Sequence, residues 1–216
     1  MIVAVTGTGT EVGKTWVTAA TISVLRAGGH RVIARKPVQS FAPDDPHPTD
    51  ADVLARASGE APETVCPRPR WLAKAVAPPM AAHDLGLDPF TIADLATEIR
   101  ASLPDADTIV FVEGAGGARS PIADDGDTIA LAHALGADRV VVVADAGLGT
   151  INSVRLTVAA LGSWTPLIVL NRFDADDELH VANRDWLTAR DGYDVVTSPV
   201  QLAAALTRPG SLRDRS

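Results

Sequence analysis

A glycine-rich run near the start of the chain contains the residue types of a phosphate-binding loop. Residues 7–15 read Gly-Thr-Gly-Thr-Glu-Val-Gly-Lys-Thr, after an apolar segment and before a helix-like one. In such a loop backbone N–H groups and the start of a helix bind phosphate oxygens, Lys14 reaches the β- and γ-phosphates, and the Thr15 hydroxyl binds Mg²⁺. The strict pattern places its first glycine at position 8, where this chain has Thr8 between two glycines. The run predicts an Mg-ATP site whose nucleotide-binding residues are Gly9, Thr10, Glu11, Val12, Gly13, Lys14 and Thr15.

A carboxylate is predicted to join this site from a later strand. Residues 108–112 form an apolar segment of strand length that ends in Glu113, and Gly114-Ala115-Gly116-Gly117 follows. Carboxylate and phosphate oxygens are usual ligands of Mg²⁺, and glycines allow the backbone to approach a ligand closely. Glu113 is therefore predicted to bind the metal, against the alternative of an ordinary surface acid.

A lysine follows the second predicted strand. Lys36-Pro37-Val38-Gln39-Ser40 lies where open α/β sheets bind ligands, at the carboxyl edge of the strands. A second lysine there supplies positive charge to a phosphoryl group in transfer. The alternative is a surface lysine before a loop. The functional interpretation predicts that the site transfers phosphate as well as binding nucleotide.

Strand-length and helix-length segments alternate along the chain. Several of the strand-like segments, such as residues 140–143, are wholly apolar, which is typical of parallel strands covered on both faces. The pattern predicts one domain over residues 1–216, a doubly wound, mostly parallel α/β sheet with helices on both faces, of the P-loop NTPase type. The proline-rich residues 41–89 are predicted to wrap one edge of the sheet as a binding loop. The predicted strands are 2–6, 31–34, 108–112, 139–144, 166–170 and 194–197, and the predicted helices are 15–27, 50–58, 91–102, 127–135, 151–161 and 177–189.

Composition argues against several classes of function. The 19 basic and 27 acidic side chains give a net charge of -8, and no basic stripe is present, so nucleic acid is not an expected partner. Cys66 is the one cysteine, which excludes an internal disulfide and suits a reducing compartment. No export signal and no membrane-length apolar run are visible. We expect a cytoplasmic protein without a membrane partner.

Together the three motifs resemble the dethiobiotin synthetase family. The motifs are residues 7–15, Lys36-Pro37-Val38-x-Ser40 and Glu113-Gly114-Ala115-Gly116-Gly117, and the similarity in order and spacing extends over roughly the whole chain. The resemblance implies a ligase (cyclo-ligase) of biotin biosynthesis, which converts 7,8-diaminononanoate, CO₂ and ATP to dethiobiotin, ADP and phosphate. In that family a substrate amine forms a carbamate, the carbamate takes the γ-phosphoryl group, and the second amine closes the ring.

The resemblance also assigns roles to individual residues. It implies that Lys14 and Lys36 are catalytic and flank the γ-phosphate and the carbamate, while Thr10 helps to hold the carbamate. Asn171, at the end of the segment 167–170, matches the family asparagine that hydrogen-bonds adenine.

The metal ligands implied by the resemblance are Thr15, Glu113 and one aspartate. Asp50 is the preferred aspartate because Asp50-Ala51-x-x-Leu54-Ala55-Arg56 resembles the family's helix start. Asp52 is the alternative, because the preceding loop differs in length from the family's.

A second helix start is predicted to bind the substrate's far end. The turn at residues 147–152 follows the strand 139–144 and opens a helix, so its free N–H groups suit a carboxylate. In the family this turn comes from the neighbouring subunit, which implies a homodimer. The predicted substrate-binding residues are Lys36, Ser40, Gly116, Gly117, Gly149, Thr150, Ile151 and Asn152.

Other interpretations stay open. A ParA/MinD-like ATPase switch has this fold, but its signature lysine would stand at Gly9. A related corrinoid-amidating synthetase would need a glutaminase domain with a nucleophilic cysteine, and Cys66 lies outside any such context. A nucleotide-binding homologue with lost catalysis is the third alternative, because Phe41 stands where the family has glycine. The chain also lacks a family tyrosine near Asn183.

Overall fold

Strands and helices alternate along the chain in the computed structural model, which describes residues 1–104 and 107–208. Within those residues a short 3₁₀ turn covers Arg68–Arg70. The strands β1 to β10 are Ile2–Gly7, Arg31–Arg35, Gln39–Ser40, Trp71–Leu72, Thr108–Glu113, Pro121–Ala123, Gly126–Asp127, Arg139–Asp145, Leu167–Asn171 and Asp194–Val196. The helices α1 to α9 are Lys14–Ala27, Asp50–Ser58, Pro62–Val65, Pro78–Asp84, Ile92–Ala101, Thr128–Leu135, Thr150–Ala160, Glu178–Ala189 and Pro199–Thr207.

The main sheet has six strands in the order β10-β9-β8-β1-β5-β2, and every neighbouring pair is parallel. Strand β1 lies inside the sheet, between β5 and β8. Small two-stranded ladders join β3 to β4 and β6 to β7. The sheet confirms the predicted fold class.

Both faces of the sheet are covered by helices, because successive residues of each strand point to opposite faces. Val3 and Val5 of β1 belong to the apolar cluster that includes α1, α2 and α9. Ala4, between them, faces the opposite side, where helices α6, α7 and α8 pack. Strand β5 is buried at every position, which explains its continuous apolar sequence.

The six predicted strands and six predicted helices are all present, and no end is shifted by more than one residue. In the proline-rich residues 41–89 the sequence predicted only the helix at α2, and the structure adds α3, α4 and β4. Prolines stand in the first turns of α3 and α4, where the missing N–H costs no helical hydrogen bond. Helix α9 was not predicted, although Ser198 caps it and Pro199 begins it.

The carboxyl ends of the parallel strands lie at one edge of the sheet, and the loops after β1, β2, β5, β8 and β9 start there. The predicted site residues therefore arise from neighbouring loops. Across residues 1–104 and 107–208 no helix has the length and apolar character to cross a membrane. The prediction of one domain over residues 1–216 stays a prediction, since residues 209–216 lie outside the described part.

Candidate active site

The phosphate-binding loop joins β1 to α1 at the centre of the sheet. Gly13 precedes the helix with a φ of 89°, and no side chain caps the first turn of α1. The first N–H groups of the helix are therefore available to an anion. A Cβ atom at Gly13 would lie 2.1 Å from Nδ2 of Asn171, so both the φ angle and the close approach require glycine here.

Lys14 folds back over this loop. Its Nζ donates to the carbonyl oxygen of Gly9 at 3.0 Å, and the side chain is buried. Burial lowers the pKa of Lys14, and the positive charge of Lys36 lowers it further. An anion bound in the loop would offset both effects by pairing with the ammonium group.

Lys36 connects the two carboxylates of the site. Its Nζ lies 2.7 Å from Oδ2 of Asp50 and 3.0 Å from Oε1 of Glu113, and it also donates to the carbonyl oxygen of Gly114 at 3.1 Å. The Thr15 hydroxyl lies 2.8 Å from a carboxylate oxygen of each acid, although its one proton can serve only one acceptor at a time. The four side chains form one polar cluster, in which Lys36 and Glu113 are buried and Thr15 and Asp50 are partly exposed.

Charge pairing determines the ionisation of this cluster. Burial disfavours the charged form of Lys36, but Asp50 and Glu113 outweigh burial and raise the pKa of Lys36 above its ordinary value. Burial likewise acts to raise the pKa of Asp50, and the charge and hydrogen bond of Lys36 reverse this, so that its pKa is lowered. The ammonium and the carboxylate thus stabilise each other's charged forms.

Asp50 and Asp52 have different surroundings. Asp52 accepts hydrogen bonds at Oδ2 from the N–H and the hydroxyl of Thr49, at 2.9 and 2.8 Å, and so completes the capping box of α2. Asp50 begins the same helix and contacts Thr15 and Lys36. The geometry brings Asp50, and not Asp52, to the phosphate loop.

A buried glutamine positions this helix start. The Oε1 of Gln39 accepts from the N–H of Ala51 at 3.0 Å, and its Nε2 donates to Thr49 at 3.4 Å. Gln39 is 2% exposed. Sequence reasoning did not assign it a role, although it stands inside the Lys-Pro-Val-Gln-Ser motif.

The oxygen donors at Thr15, Asp50 and Glu113 fit a magnesium ion. Oε2 of Glu113 is buried and has no hydrogen-bond partner among residues 1–104 and 107–208, so this carboxylate has an unused oxygen. The described residues contain no group of three or more histidine, cysteine or acidic side chains that could hold a metal ion. Two carboxylates and a hydroxyl leave coordination positions for phosphate oxygens and water, as Mg²⁺ prefers.

The glycine loop after β5 packs against the phosphate loop. The N–H of Ala118 donates to the carbonyl oxygen of Gly7 at 3.1 Å, and a Cβ atom at Gly117 would lie 3.5 Å from the Cα of Gly9. Gly116 has a φ of 68°, and a Cβ atom there would lie 2.6 Å from the hydroxyl of Ser120. The loop therefore requires glycine at position 116, whereas a Cβ atom at position 117 would make ordinary van der Waals contact.

A large cleft of about 1020 Å³ is lined by residues from these loops. Phe41 lies at its side, edge-on to Trp71 with ring centroids 6.3 Å apart. The predicted site residues that line the cleft are Thr10, Glu11, Gly13, Lys14, Thr15, Lys36, Ser40, Asp50 and Gly116.

A second cleft of about 560 Å³ lies beside Asn171. The Nδ2 of Asn171 donates to the carbonyl oxygen of Val12 at 3.0 Å, which ties the end of β9 to the phosphate loop. Several lining residues were not predicted from the sequence, because they carry no motif and follow strands β9 and β10 or lie within α1. They are Trp16, Arg172, Phe173, Thr197, Ser198 and Pro199.

The turn before α7 does not line the large cleft of its own chain. Gly149 has a φ of 90°, and no side chain caps the helix that follows. Thr150 is buried, and its hydroxyl has no hydrogen-bond partner within the described residues. Gly149, Thr150, Ile151 and Asn152 are thus separate from the other predicted substrate residues in the single chain.

Comparison with known proteins agrees with this architecture. A family model described as an AAA domain matches residues 2–207. A plasmid partition protein from Borrelia burgdorferi, bound to AMPPNP, has a TM-score of 0.52 at 15% identity over 91% of this chain and 86% of that one. The signal recognition particle receptor FtsY from Elizabethkingia anophelis has a TM-score of 0.51 at 13% identity, and the match covers 91% of this chain and 56% of the receptor chain. At these identities the likeness shows the fold alone.

Proteins with similar sequences identify the family more specifically than the fold does. An ATP-dependent dethiobiotin synthetase from Haloferax mediterranei is 38% identical over 203 residues, covering 91% of this chain and 82% of the relative. One from Rhodococcus jostii is 39% identical over 211 residues, covering 91% of this chain and 85% of the relative. One from Corynebacterium efficiens is 42% identical over 161 residues, covering 74% of this chain and 69% of the relative.

The parallel sheet and the loop from β1 to α1 define a P-loop nucleotide-binding protein. Within that class the chain belongs to the dethiobiotin synthetase family. The resemblance inferred from the three motifs is thereby confirmed.

Proposed function

We propose that this protein is the ATP-dependent ligase that forms dethiobiotin from 7,8-diaminononanoate and CO₂, with release of ADP and phosphate. The observation that carries the proposal is the presence of two buried lysines, Lys14 and Lys36, on one cleft beside the phosphate loop. A nucleotide-binding module needs only the first lysine. The second supplies charge for an additional anion, as carbamate phosphorylation requires.

The reaction needs cations and N–H donors more than a covalent nucleophile. A substrate amine adds to CO₂ and loses a proton to give a carbamate, and a carbamate oxygen then attacks the γ-phosphorus while the bond to ADP breaks. The second amine attacks the carbonyl carbon of the carbamic-phosphoric anhydride and loses a proton, which closes the ring and expels phosphate. Lys14, Lys36 and Thr10 hold the anions in place for these steps. Burial raises the pKa of Cys66 to about 12, which makes this thiol unsuited to nucleophilic catalysis.

Magnesium is part of the proposal. Thr15, Asp50 and Glu113 would hold Mg²⁺ at the phosphate loop, and the unpartnered Oε2 of Glu113 supports this assignment. The ion would neutralise charge on the β- and γ-phosphates. Asn171, at the second cleft, would hydrogen-bond the adenine base.

We further propose a homodimer in which the turn at residues 149–152 serves the neighbouring subunit's cleft. The buried, unpartnered hydroxyl of Thr150 and the uncapped start of α7 provide donors and a positive helix end for the carboxylate of the diamine. Beside them Leu148 is 91% exposed and Leu156 is 64% exposed, which suits an interface. ATP is the co-substrate and the expected compartment is the cytoplasm.

Mixed dimers test the shared site. Asn152→Trp would block the carboxylate receptor, and Lys14→Met would disable the phosphate loop. Each variant alone should be inactive. An equimolar mixture after subunit exchange should recover roughly a quarter of wild-type activity, because half the dimers are mixed and each has one intact site. An active monomer in solution scattering would contradict the shared site.

A direct assay tests the activity. The protein is incubated with diaminononanoate, bicarbonate, Mg²⁺ and ATP, and dethiobiotin is measured by mass spectrometry together with released phosphate. We expect one phosphate per dethiobiotin and phosphate release that depends on both the diamine and CO₂. Equal ATP hydrolysis without the diamine would favour an ATPase switch, and nucleotide binding without turnover would favour a homologue that has lost catalysis.

A further inference from the structure

Arg172 lies between the two clefts that a nucleotide would span. Among residues 1–104 and 107–208, only Gly13 and Arg172 line both the large cleft and the cleft beside Asn171. Gly13 contributes no side chain, so Arg172 provides the one side chain that these described residues place in both clefts. Its position follows directly from β9, since it is the first residue after that strand.

The guanidinium group joins two loops. Its Nη2 donates to the carbonyl oxygen of Glu11 at 3.0 Å, and its Nη1 donates to Oδ2 of Asp145 at 2.9 Å. Asp145 is itself fixed, because its Oδ1 accepts from the N–H of Gly147 at 2.9 Å. Arg172 therefore ties the phosphate loop to the end of β8.

The backbone is strained at both ends of this contact. Arg172 has a φ of 55° and Glu11 has a φ of 58°, both in the left-handed region that residues other than glycine rarely adopt. Such conformations persist where the surroundings enforce them, and they cluster at ligand-binding sites. A left-handed residue in a phosphate loop helps to turn successive N–H groups toward an anion.

We infer that Arg172 is a nucleotide-positioning residue, which acts by holding the carbonyl group of Glu11 and with it the phosphate loop in the binding conformation. The inference rests on the proposed function for the identity of the nucleotide. The side chain is 61% exposed, so its ion pair adds little to global stability. Its effect is local to the loop.

Binding and kinetics of Arg172→Met test the inference. The Kd for Mg-ATP, measured by titration calorimetry without diamine, should rise about 10-fold, the scale of losing one charged hydrogen bond. The KM for ATP should rise in parallel, with kcat changed less than about 2-fold and the KM for the diamine unchanged. The Kd of Arg172→Lys for Mg-ATP should lie between those of the wild type and Arg172→Met, because an ammonium group lacks the planar fork that reaches both acceptors.

Arg155 offers a matched control. It also pairs with an aspartate, Asp191, at 2.8 and 2.6 Å, its own side chain is 48% exposed, and it lines neither cleft. Arg155→Met should leave the Kd for Mg-ATP unchanged. An unchanged Kd in Arg172→Met, or an equal change in both variants, would overturn the inference. The proposed reaction would be unaffected by that result, because it is judged by dethiobiotin formation.

Discussion

Replacement of Lys36 by methionine tests whether this lysine holds the site carboxylates together. Methionine has a similar length and removes the charge and the three N–H donors. Lys36 is 2% exposed and Glu113 is fully buried, so the variant leaves a buried carboxylate whose remaining side-chain hydrogen-bond donor, among the described residues, is the hydroxyl of Thr15. An unpaired buried charge is costly because neither water nor a counter-ion compensates it.

The expected loss of stability follows from burial. Removal of one partner from a buried ion pair costs about 3–5 kcal/mol. The side chain of Asp50 is 43% exposed, so water screens the ion pair between Lys36 and Asp50. We therefore expect a loss of stability near the lower limit of this range. A loss of about 3 kcal/mol corresponds to a decrease in melting temperature of about 6–12 °C for a chain of this size.

Lys14→Met is the matched control. Lys14 contacts the carbonyl oxygen of Gly9 rather than a carboxylate, and burial together with Lys36 lowers its pKa. The free energy of unfolding of Lys14→Met should therefore equal that of the wild type or slightly exceed it. The stabilisation from Lys36 is fully present below its unfolded pKa and is lost only as pH rises through its raised folded pKa, so about pH 7.5 is suitable for both variants.

The measurement is urea unfolding followed by circular dichroism, with EDTA and then with Mg²⁺. In Lys36→Met, Mg²⁺ should restore much of the loss, because the ion can take the place of the ammonium between Asp50 and Glu113. Metal at 100 times its Kd stabilises by about 2.7 kcal/mol. Wild-type stability in Lys36→Met, or an equal loss of stability in Lys14→Met, would show that Lys36 does not hold the two carboxylates together.

Three further results are expected. Asp50→Asn should raise the Mg²⁺ concentration needed for half-maximal activity, while Asp52→Asn should only lower stability, by about 1 kcal/mol through its capping box; a reversed pattern in a magnesium titration would exchange their roles. Asn171→Ala should reduce the preference for ATP over GTP, and an unaltered ratio of kcat/KM would remove it from the base site. Cys66 should react with a thiol reagent at pH 8 at least ~10²-fold more slowly than after unfolding, because its pKa is raised to about 12 and the side chain is buried; fast labelling of the native protein would contradict this.

The parallel sheet could be predicted because its strands are short, apolar and separated by helical segments. Strand β8 is the clearest example, since its apolar residues are buried on both faces. The phosphate loop and Glu113 were predictable for a related reason: each follows such a strand, and strand ends are visible in the sequence. Periodicity could not reveal α3 or α4, which are 4 and 7 residues long and begin at prolines.

The contacts of the site were less predictable. Nothing in the sequence indicates that Lys36 pairs with Asp50, because the contact depends on how Gln39 and Thr49 fix the start of α2. Arg172 lies outside the three motifs, and its inferred role in positioning the phosphate loop depends on its hydrogen bond to Glu11, which only the structure reveals. Spacing along the chain thus predicts which loops meet, whereas side-chain pairing within them requires coordinates.

The central position of β1 has a consequence for synthesis on the ribosome. This strand is synthesised before both of its neighbours, β5 and β8, the latter of which ends at Asp145. The N–H of Ile2 donates to the carboxylate of Asp138, far along the chain. Pairings this distant in sequence form slowly. The phosphate loop therefore lacks its framework until β8 has been synthesised, so nucleotide binding is expected only after β1 has paired with β5 and β8.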